Sequence, residues 1–279
     1  MSNRLCLKGK KLLLKRDGRR DWNMKTINLT NEQLPWLQAR TILLVTAGSY
    51  SYGTNTETSD RDYKGVCIPP IDYYFGLHSF HEYRQSTGKN FQASAGDVEV
   101  TIMHITKFVN QAMQGIPNNI EMLFVRPEDR LKVTPLGQML IDHRHLFLSK
   151  RVFKRFGGYA RSQIQKLKTK RQNKTGRQDL VEKYGYDTKF FMHSIRLLTS
   201  AIEILETGDF QTYRPNRQLL LDCRNGKYSF EEALEMVEMY DEQLRQAYER
   251  SPLPSKVDFK KINQLLISIH QQAFVQELT

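Results

Sequence analysis

Two aspartates, Asp60 and Asp62, are the residues whose spacing points most directly to chemistry. They stand at the start of an extended run, residues 63–68, which two prolines end. Residues i and i+2 of a strand point to the same face, so these two carboxylates are expected side by side. Adjacent carboxylates repel each other, and without a cation one of them tends to take up a proton. Mg²⁺ resolves this conflict, because it takes oxygen ligands and is often shared between carboxylates and substrate phosphates.

A glycine and a serine, Gly48 and Ser49, follow the apolar run at residues 42–45. A short apolar run that ends at a turn predicts a buried strand. A glycine lets a phosphate approach the backbone closely, and a serine hydroxyl can hydrogen-bond to a phosphate oxygen. The sequence therefore predicts a phosphate-binding turn and a metal-binding pair on adjacent strands.

Neither feature is specific alone. A lone Asp-x-Asp more often marks a solvated turn or strand edge, and a lone Gly-Ser is usually only a turn. Here they occur together, after an apolar strand, with ten residues (50–59) between them. This combination favours metal and phosphate binding over two unrelated turns.

A third carboxylate is expected from residues 97–102, which alternate polar and apolar side chains as a half-buried strand does. Asp97 and Glu99 share one face of that strand. Enzymes that transfer phosphoryl groups with two metal ions commonly use a further carboxylate near the attacking hydroxyl. The pattern alone does not choose between Asp97 and Glu99, and the one that is not used would be an exposed strand acid.

The combination of Gly-Ser, ten residues and Asp-x-Asp resembles the signature of the DNA polymerase beta-like nucleotidyltransferases. The longer string GSYSYGTNTETSDRDYKGV, residues 48–66, is similar to one branch of that superfamily. This branch contains predicted nucleotidyltransferases of bacteria and phages, some encoded beside RNA-repair genes. The resemblance extends over about residues 24 to 275.

The resemblance implies an α+β fold, in which a mixed sheet with flanking helices is followed by a helical domain. We expect a basic extension at 1–25, a catalytic domain at 26–140 and a helical nucleotide- or acceptor-binding domain at 141–279. It also implies an NTP substrate and Mg²⁺, or Mn²⁺, held by Asp60, Asp62 and a third acid. Aligning Lys107 and Phe108 with the Lys-Phe pair of the family favours Glu99 over Asp97 for the third position.

The resemblance further implies a set of residues that bind the nucleotide, drawn from both domains. Residues 186–207 predict a long helix that ends at Gly208. Lys189, His193 and Arg196, at i, i+4 and i+7, share one face of it. That face could clasp a triphosphate or an RNA end, although a lone histidine is more often structural. The expected nucleotide-binding residues are Gly48, Ser49, Thr54, Ser59, Lys189, His193 and Arg196.

The chain carries a formal net charge of +12, from 42 Lys and Arg against 30 Asp and Glu. Residues 144–177 contain many Lys and Arg and no acid, with Phe153, Phe156 and Tyr159 interleaved. A charged helix face is usually only solvated, but such faces normally mix both signs. The stretch therefore predicts a salt-sensitive contact with a polyphosphate or an RNA backbone. Residues 173–178 are expected to form a mobile loop.

Other segments carry weaker predictions. The basic start of the chain is a nucleic-acid arm, a disordered extension or an over-long translation start before Met24. Residues 30–33 resemble a capping box and predict a short helix to about Ala39. Residues 120–125 predict a core strand, with Glu121 in a structural hydrogen-bonding role. Most aromatic residues of 71–92 are expected to pack in the core rather than stack on a base.

Composition limits the cellular setting. No apolar run approaches the roughly 20 residues that a membrane span needs, and no signal-peptide core begins the chain. Three scattered cysteines, Cys6, Cys67 and Cys223, have neither zinc-binding spacing nor an even count. A reducing, cytoplasmic location without a membrane partner is expected.

Three functions remain open from the sequence. The first is nucleotidyl transfer to an RNA 3′ end, as in RNA or tRNA repair, which the basic stretch favours. The second is transfer of AMP to a protein, as in antitoxin-like relatives, which are usually much shorter than this chain. The third is RNA binding by an inactive scaffold, which the intact set of acids disfavours.

Overall fold

The computed structural model describes residues 29, 31–88, 97–170 and 178–278. The basic extension at 1–25 and most of the loop predicted at 173–178 lie outside these residues, as does Cys6. In the described parts of the chain, no helix has the length and apolarity that crossing a bilayer requires.

Within the described residues, five strands form one mixed sheet in the order β3-β4-β2-β1-β5. Strands β2 and β4 are parallel, and the other neighbouring pairs are antiparallel. The strands predicted at 42–45, 63–68 and 97–102 are confirmed as β1, β2 and β4. The bounds are β1 Thr41–Ala47, β2 Arg61–Cys67, β3 Glu82–Ser86, β4 Val98–His104 and β5 Arg130–Val133.

Helices flank the sheet in the first half of the chain, and the described part of the second half contains helices without strands. Those between and beside the strands are α1 Leu37–Arg40, α2 Gly48–Tyr52, α3 Asp72–Phe75, α4 Ile105–Met113, α5 Pro117–Leu123 and α6 Pro135–Asp142, with 3₁₀ turns at Pro127–Asp129 and Arg144–Phe147. The remainder is helical: α7 Arg151–Lys170, α8 Gln178–Tyr184, α9 Thr188–Thr207, α10 Arg217–Arg224, α11 Phe230–Arg250 and α12 Phe259–Leu278. The predicted α+β class with a helical second half is confirmed.

Two local predictions are wrong. Residues 120–125 do not form a strand, because α5 occupies this segment as far as Leu123 and begins with Pro117 in its first turn, where a missing N–H costs nothing. A short run that is buried on all sides has no period that separates helix from strand. The first helix begins only at Leu37, because the Asn31 side chain accepts a hydrogen bond from the backbone N–H of Gln33 (2.8 Å) and forms a turn there.

The longer helices begin and end where the sequence indicates. The Asp187 side chain caps α9 by accepting hydrogen bonds from the backbone N–H groups of Lys189 and Phe190, and Gly208 ends the helix with φ of 66°. Ser229 and Glu232 form a reciprocal capping box at the start of α11. Each cap satisfies backbone groups that a helix end leaves without partners.

The sheet has an apolar cluster on each face. Tyr63, Val100 and Ile102 belong to a small cluster on one face. Val66 and Met103, on the opposite face, belong to a large cluster that continues through the helices of both halves of the chain. This large cluster lies on the face of β2 and β4 that carries residues 62 and 99, and it joins that face to the helical half. The domain division at residue 140 stays a prediction.

The aromatic segment after β2 mostly packs, as expected. The rings of Tyr73 and Phe80 meet Trp36 edge-on, with centroids 5.2 and 5.1 Å away. Tyr74 meets Phe274 of α12 at 5.0 Å. Phe75 departs from the prediction, because it is 84% exposed.

His104, the last residue of β4, joins the sheet to α4 and α12. Its Nδ1 accepts a hydrogen bond from the backbone N–H of Thr106 (3.0 Å) and so caps α4. Its ring lies 4.9 Å from that of Tyr74, whose hydroxyl is 3.2 Å from Nε2 of His270 in α12. Burial, with smaller contributions from the nearby His270 and His81, lowers the pKa of His104 to about 4. The folded chain therefore favours the neutral imidazole.

We expect acid to destabilise the fold through this residue. The pKa of His104 in the folded chain lies below its ordinary value of 6.5, so the unfolded chain takes up the proton first. The contribution of His104 to the free energy of unfolding is fully present above about pH 6.5 and is lost as the pH drops towards 4. Because the ring is partly solvated, the loss near pH 5 is on the order of 1 kcal/mol.

Urea denaturation at about pH 7 and pH 5 tests this expectation. The His104→Asn variant keeps a side-chain acceptor for the Thr106 N–H but cannot titrate. Its free energy of unfolding should depend less on pH than that of the wild type. Equal pH dependence in both proteins would contradict a role for His104.

Candidate active site

An open cavity of about 690 Å³ lies between the acidic edge of the sheet and the helices α7 and α9. The structure brings all ten residues singled out from the sequence to its walls. They are Gly48, Ser49, Thr54, Ser59, Asp60, Asp62, Glu99, Lys189, His193 and Arg196.

The acidic edge depends on the parallel pairing of β2 with β4, which sets Asp62 directly beside Glu99. Asp60 immediately precedes β2 and also lines the cavity. Asp97 is placed differently, because its carboxylate accepts a hydrogen bond from the Thr87 hydroxyl (3.0 Å). Asp97 is not among the described residues that line the cavity.

Two of the three cavity carboxyl groups, those of Asp62 and Glu99, have a raised pKa. Burial raises the pKa of Asp62, and the Asp60 carboxylate raises it further, while Lys64 and Lys189 act in the opposite direction. Burial likewise raises the pKa of Glu99, with Asp62 and then Asp60 adding to the shift. A cation placed among these groups would relieve the repulsion.

The donor set at this edge fits Mg²⁺ when the substrate supplies part of the coordination. In the described parts of the chain, no three His, Cys, Asp or Glu side chains already form a metal-binding cluster. Mg²⁺ typically uses only one or two carboxylates and completes its octahedron with substrate phosphates and water. Asp60 and Asp62 would hold the ion, with Glu99 beside them.

Gly48 brings the backbone of β1 and α2 against Asp62. Its neighbour Ala47 pairs with Asp62 across the antiparallel strands. Gly48 has φ of +62°, and a Cβ atom on it would overlap the Asp62 carboxylate. Only glycine allows both this left-handed conformation and this close approach.

Two buried hydroxyls near α2 have no hydrogen-bonding partner among the described residues. They are Oγ of Ser49 and Oγ1 of Thr54, and both residues line the cavity. The backbone N–H of Thr54 donates to the carbonyl of Ser49 (2.9 Å), which keeps the two residues together. Buried polar groups nearly always have partners. This pair therefore fits a ligand rich in acceptor oxygens, such as a phosphate.

A buried ion pair lies beneath the cavity, whose wall contains Arg196 but not its partner Glu121. Glu121 of α5 accepts hydrogen bonds from Nη1 of Arg196 (2.5 Å) and from the Tyr52 hydroxyl (2.7 Å). The Arg196 guanidinium lies 4.0 Å from the centre of the Tyr52 ring. Burial raises the pKa of Glu121, but Arg196 and Tyr52 outweigh that effect and hold it below its ordinary value. The structural role expected of Glu121 is thus accompanied by a role for Arg196 that the sequence did not suggest.

Several cavity residues escaped the sequence analysis. Lys64 lies two residues beyond Asp62 on the same face of β2, so the alternation that selected Asp60 and Asp62 also indicates it. Burial lowers the pKa of Lys64, while the carboxylates of Glu121 and Asp62 oppose that shift. The other missed residues come from helices and include Tyr52, Asn118, Ser162 and Arg224. Lys154 and Tyr159, which also line the cavity, belong to the basic stretch that the sequence singles out.

Comparison with known proteins identifies the family of the chain. The model of the family described as "RNA repair pathway DNA polymerase beta family" matches residues 22–268. This chain belongs to that family. The resemblance predicted from residues 24 to 275 is thereby confirmed.

Two individual proteins are similar to this chain. A 38.9 kDa protein from the nrdC-mobD intergenic region of Enterobacteria phage T4 is 25% identical over 146 residues, which are 51% of this chain and 43% of that protein. The chain thus matches less than half of its phage relative. A nucleotidyltransferase-like protein from Exiguobacterium sibiricum, known from a crystal structure, aligns with 84% of this chain and 74% of its own at 8% identity. Its TM-score of 0.28 is too low to carry an argument about the fold.

We expect the Glu121–Arg196 pair to be strongly coupled in the free energy of unfolding. Glu121→Leu or Arg196→Met alone leaves one buried charge without its partner and should cost about 3–5 kcal/mol. The double variant removes both charges and should recover most of that loss.

Urea denaturation of the two single variants and the double variant measures the coupling. Each is made in a Tyr52→Phe background, so that no hydroxyl is left without its Glu121 acceptor. Costs that simply add in the double variant would show that the pair does not act as a unit.

Proposed function

We propose that the chain is a metal-dependent nucleotidyltransferase that moves an NMP from an NTP to the 3′-hydroxyl of an RNA and releases pyrophosphate. The observation that carries this proposal is the meeting, in one cavity, of a carboxylate cluster with two buried hydroxyls that have no partner among the described residues. Family membership supports RNA as the acceptor.

In this proposal Asp60 and Asp62 hold Mg²⁺, or Mn²⁺, and Glu99 is the third acid. The bound metal supplies activation of the attacking hydroxyl and neutralises the charge of the leaving pyrophosphate. The pairing of Asp62 with Glu99 supports Glu99 over Asp97, whose carboxylate is engaged by Thr87 outside the cavity wall.

The hydroxyls of Ser49 and Thr54 donate hydrogen bonds to the β- and γ-phosphates of the NTP, and Gly48 lets the backbone of this turn lie close to Asp62. Ser59 shapes the loop before Asp60, because its Oγ accepts a hydrogen bond from the backbone N–H of Thr56 (2.9 Å). The residues thus act mainly by positioning, as expected when phosphoryl transfer needs little covalent help from the protein.

Lys189 and His193 of α9 face the same cavity and supply positive charge and hydrogen bonds to the phosphates. Lys189 is close enough to Asp62 to lower the pKa of that carboxyl. Arg196, one turn further along, is held by Glu121, and in this proposal it fixes the position of α9 as well as contributing charge to the cavity wall.

The chemistry itself exchanges a phosphoanhydride bond for a phosphodiester bond. The 3′-oxygen of the acceptor forms a bond to the α-phosphorus, and the bond from that phosphorus to the bridging oxygen of the β-phosphate breaks. The departing oxygen leaves with the pyrophosphate, and the proton of the acceptor hydroxyl passes to water. The basic helix α7 beside the cavity supports a polyanionic acceptor.

Label transfer tests the proposal. Each of the four α-labelled NTPs is incubated with the full chain, Mg²⁺ and a pool of small RNAs and proteins. We expect label in RNA, lost on chelation of the metal. Asp60→Ala and Asp62→Ala should each lower the rate by roughly 10²-fold or more, because each removes a ligand of the metal ion that would stabilise transition-state charge.

Glu99→Gln and Asp97→Asn form a matched pair in the same assay. Each replaces one carboxylate with an isosteric amide, and only the Glu99 change should reduce transfer strongly. Label in protein alone would move the chain to the protein-modifying class. No transfer, or transfer that survives loss of both Asp60 and Asp62, would contradict the proposed reaction.

A further inference from the structure

Tyr159 of α7 is an exposed aromatic residue in the wall of the cavity. Its exposed fraction is 55%. Of the two other aromatics in the basic stretch, Phe156 is fully buried and Phe153 packs against Tyr248, with ring centroids 4.6 Å apart. Among the described residues, no ring or cation stacks on Tyr159. An aromatic face open to a ligand cavity is suited to stacking on a nucleobase, because every base has a π-face.

The residue before it, Gly158, leaves space next to this ring. Glycine inside a helix destabilises it relative to alanine, so each interior glycine calls for a reason. Gly157 has one, because a Cβ there would lie 2.9 Å from Cδ2 of Leu244. A Cβ on Gly158 would meet nothing within 4 Å, and Gly158 lines the cavity. Packing within the protein therefore does not explain Gly158, whereas room for a flat ligand does.

The charge on the same helix extends well beyond the cavity. Lys154 is exposed, lines the cavity and has no acidic partner among the described residues. Exposed cations continue to Lys166 and Lys168 near the other end of α7. At about 1.5 Å per residue, the distance from Lys154 to Lys168 is roughly 20 Å along the helix. A single nucleotide cannot span the distance between these separate lysines, but the backbone of a strand can.

We propose that the side of α7 that lines the cavity binds the 3′-terminal nucleotide of a single-stranded RNA acceptor. The base of that nucleotide would stack on Tyr159 over Gly158, and the RNA backbone would continue from Lys154 towards Lys168. The inference rests on the proposed function, since it concerns the acceptor of that reaction. In the proposed function, Ser49, Thr54 and Lys189 bind the phosphates of the NTP. Helix α7 is therefore available to bind the RNA acceptor.

Binding of RNA without turnover tests the inference. A short, 5′-fluorescent single-stranded RNA with a free 3′-hydroxyl is titrated with the full chain in the presence of a metal chelator. We expect Tyr159→Ala to raise the Kd on the order of tenfold, the usual loss for one stacked base, and Tyr159→Phe to bind as the wild type does.

A second RNA, identical but without the base on its last nucleotide, separates stacking from a merely structural role. The missing base should weaken binding to the wild type about as much as Tyr159→Ala does, and should weaken binding to Tyr159→Ala no further. Gly158→Leu should fill the space and raise the Kd, while Gly158→Ala should preserve the fold and bind more tightly than Gly158→Leu. Phe259→Ala removes another exposed aromatic, one that does not line the cavity, and should leave the Kd unchanged.

Three outcomes would overturn the inference. Tyr159→Ala could bind both RNAs as the wild type does. It could lose affinity equally for the intact and the abasic RNA. It could weaken binding of a non-hydrolysable NTP and not of RNA, which would assign the ring to the incoming nucleotide. A wild type that binds the RNA in this pattern but transfers no nucleotide would contradict the proposed reaction and leave the subsite intact.

Discussion

The buried ion pair between Glu121 and Arg196 is the interaction on which the cavity depends. Two charges removed from water are costly, and they are tolerated only when their geometry and hydrogen bonds are good. Tyr52 helps to meet that requirement, with its hydroxyl on Glu121 and its ring against Arg196. The three residues belong to α2, α5 and α9. One anchor therefore fixes the helix that carries Ser49 relative to the helix that carries Lys189 and His193.

The acidic edge imposes a second constraint, which opposes stability. Parallel pairing of β2 and β4 sets Asp62 beside Glu99, and the absence of a side chain at Gly48 lets the backbone close on Asp62. Burial raises the pKa values of Asp62 and Glu99, and the Asp60 carboxylate adds to both shifts, so the folded chain retains repulsion that an apolar core would avoid. Perturbed carboxyl groups in a cavity are typical of functional sites. The ion pair below the cavity opposes this effect, because it ties together the helices α2, α5 and α9 around the carboxylates.

Much of this arrangement was predictable because it follows from simple periods. A period of two places Asp60 and Asp62 together and indicates the strand of Glu99, and helical spacing places Lys189 and His193 on one face of α9. The class of fold came from the resemblance carried by the Gly-Ser and Asp-x-Asp pattern. Lys64 was also within reach, because it continues the alternation of β2.

Other features depend on contacts that no local pattern encodes. Glu121 and Arg196 are 75 residues apart, so their pairing has no signal in either segment. The segment around Glu121 is buried on all sides, and its apolar run predicts a strand although the segment is helical. The exposure of Tyr159, beside the buried Phe156, is decided by how α7 packs against α9 and α11. Such features follow from tertiary packing, which overrides local preference.

The most direct test of the central claim is a crystal structure of the full chain with a non-hydrolysable NTP and Mg²⁺. We expect the metal on the carboxylates of Asp60 and Asp62, and phosphate oxygens within hydrogen-bonding distance of the Ser49 and Thr54 hydroxyls. A nucleotide bound outside the cavity, or phosphates that leave both hydroxyls without a partner, would contradict the claim that this cavity is the site of nucleotidyl transfer.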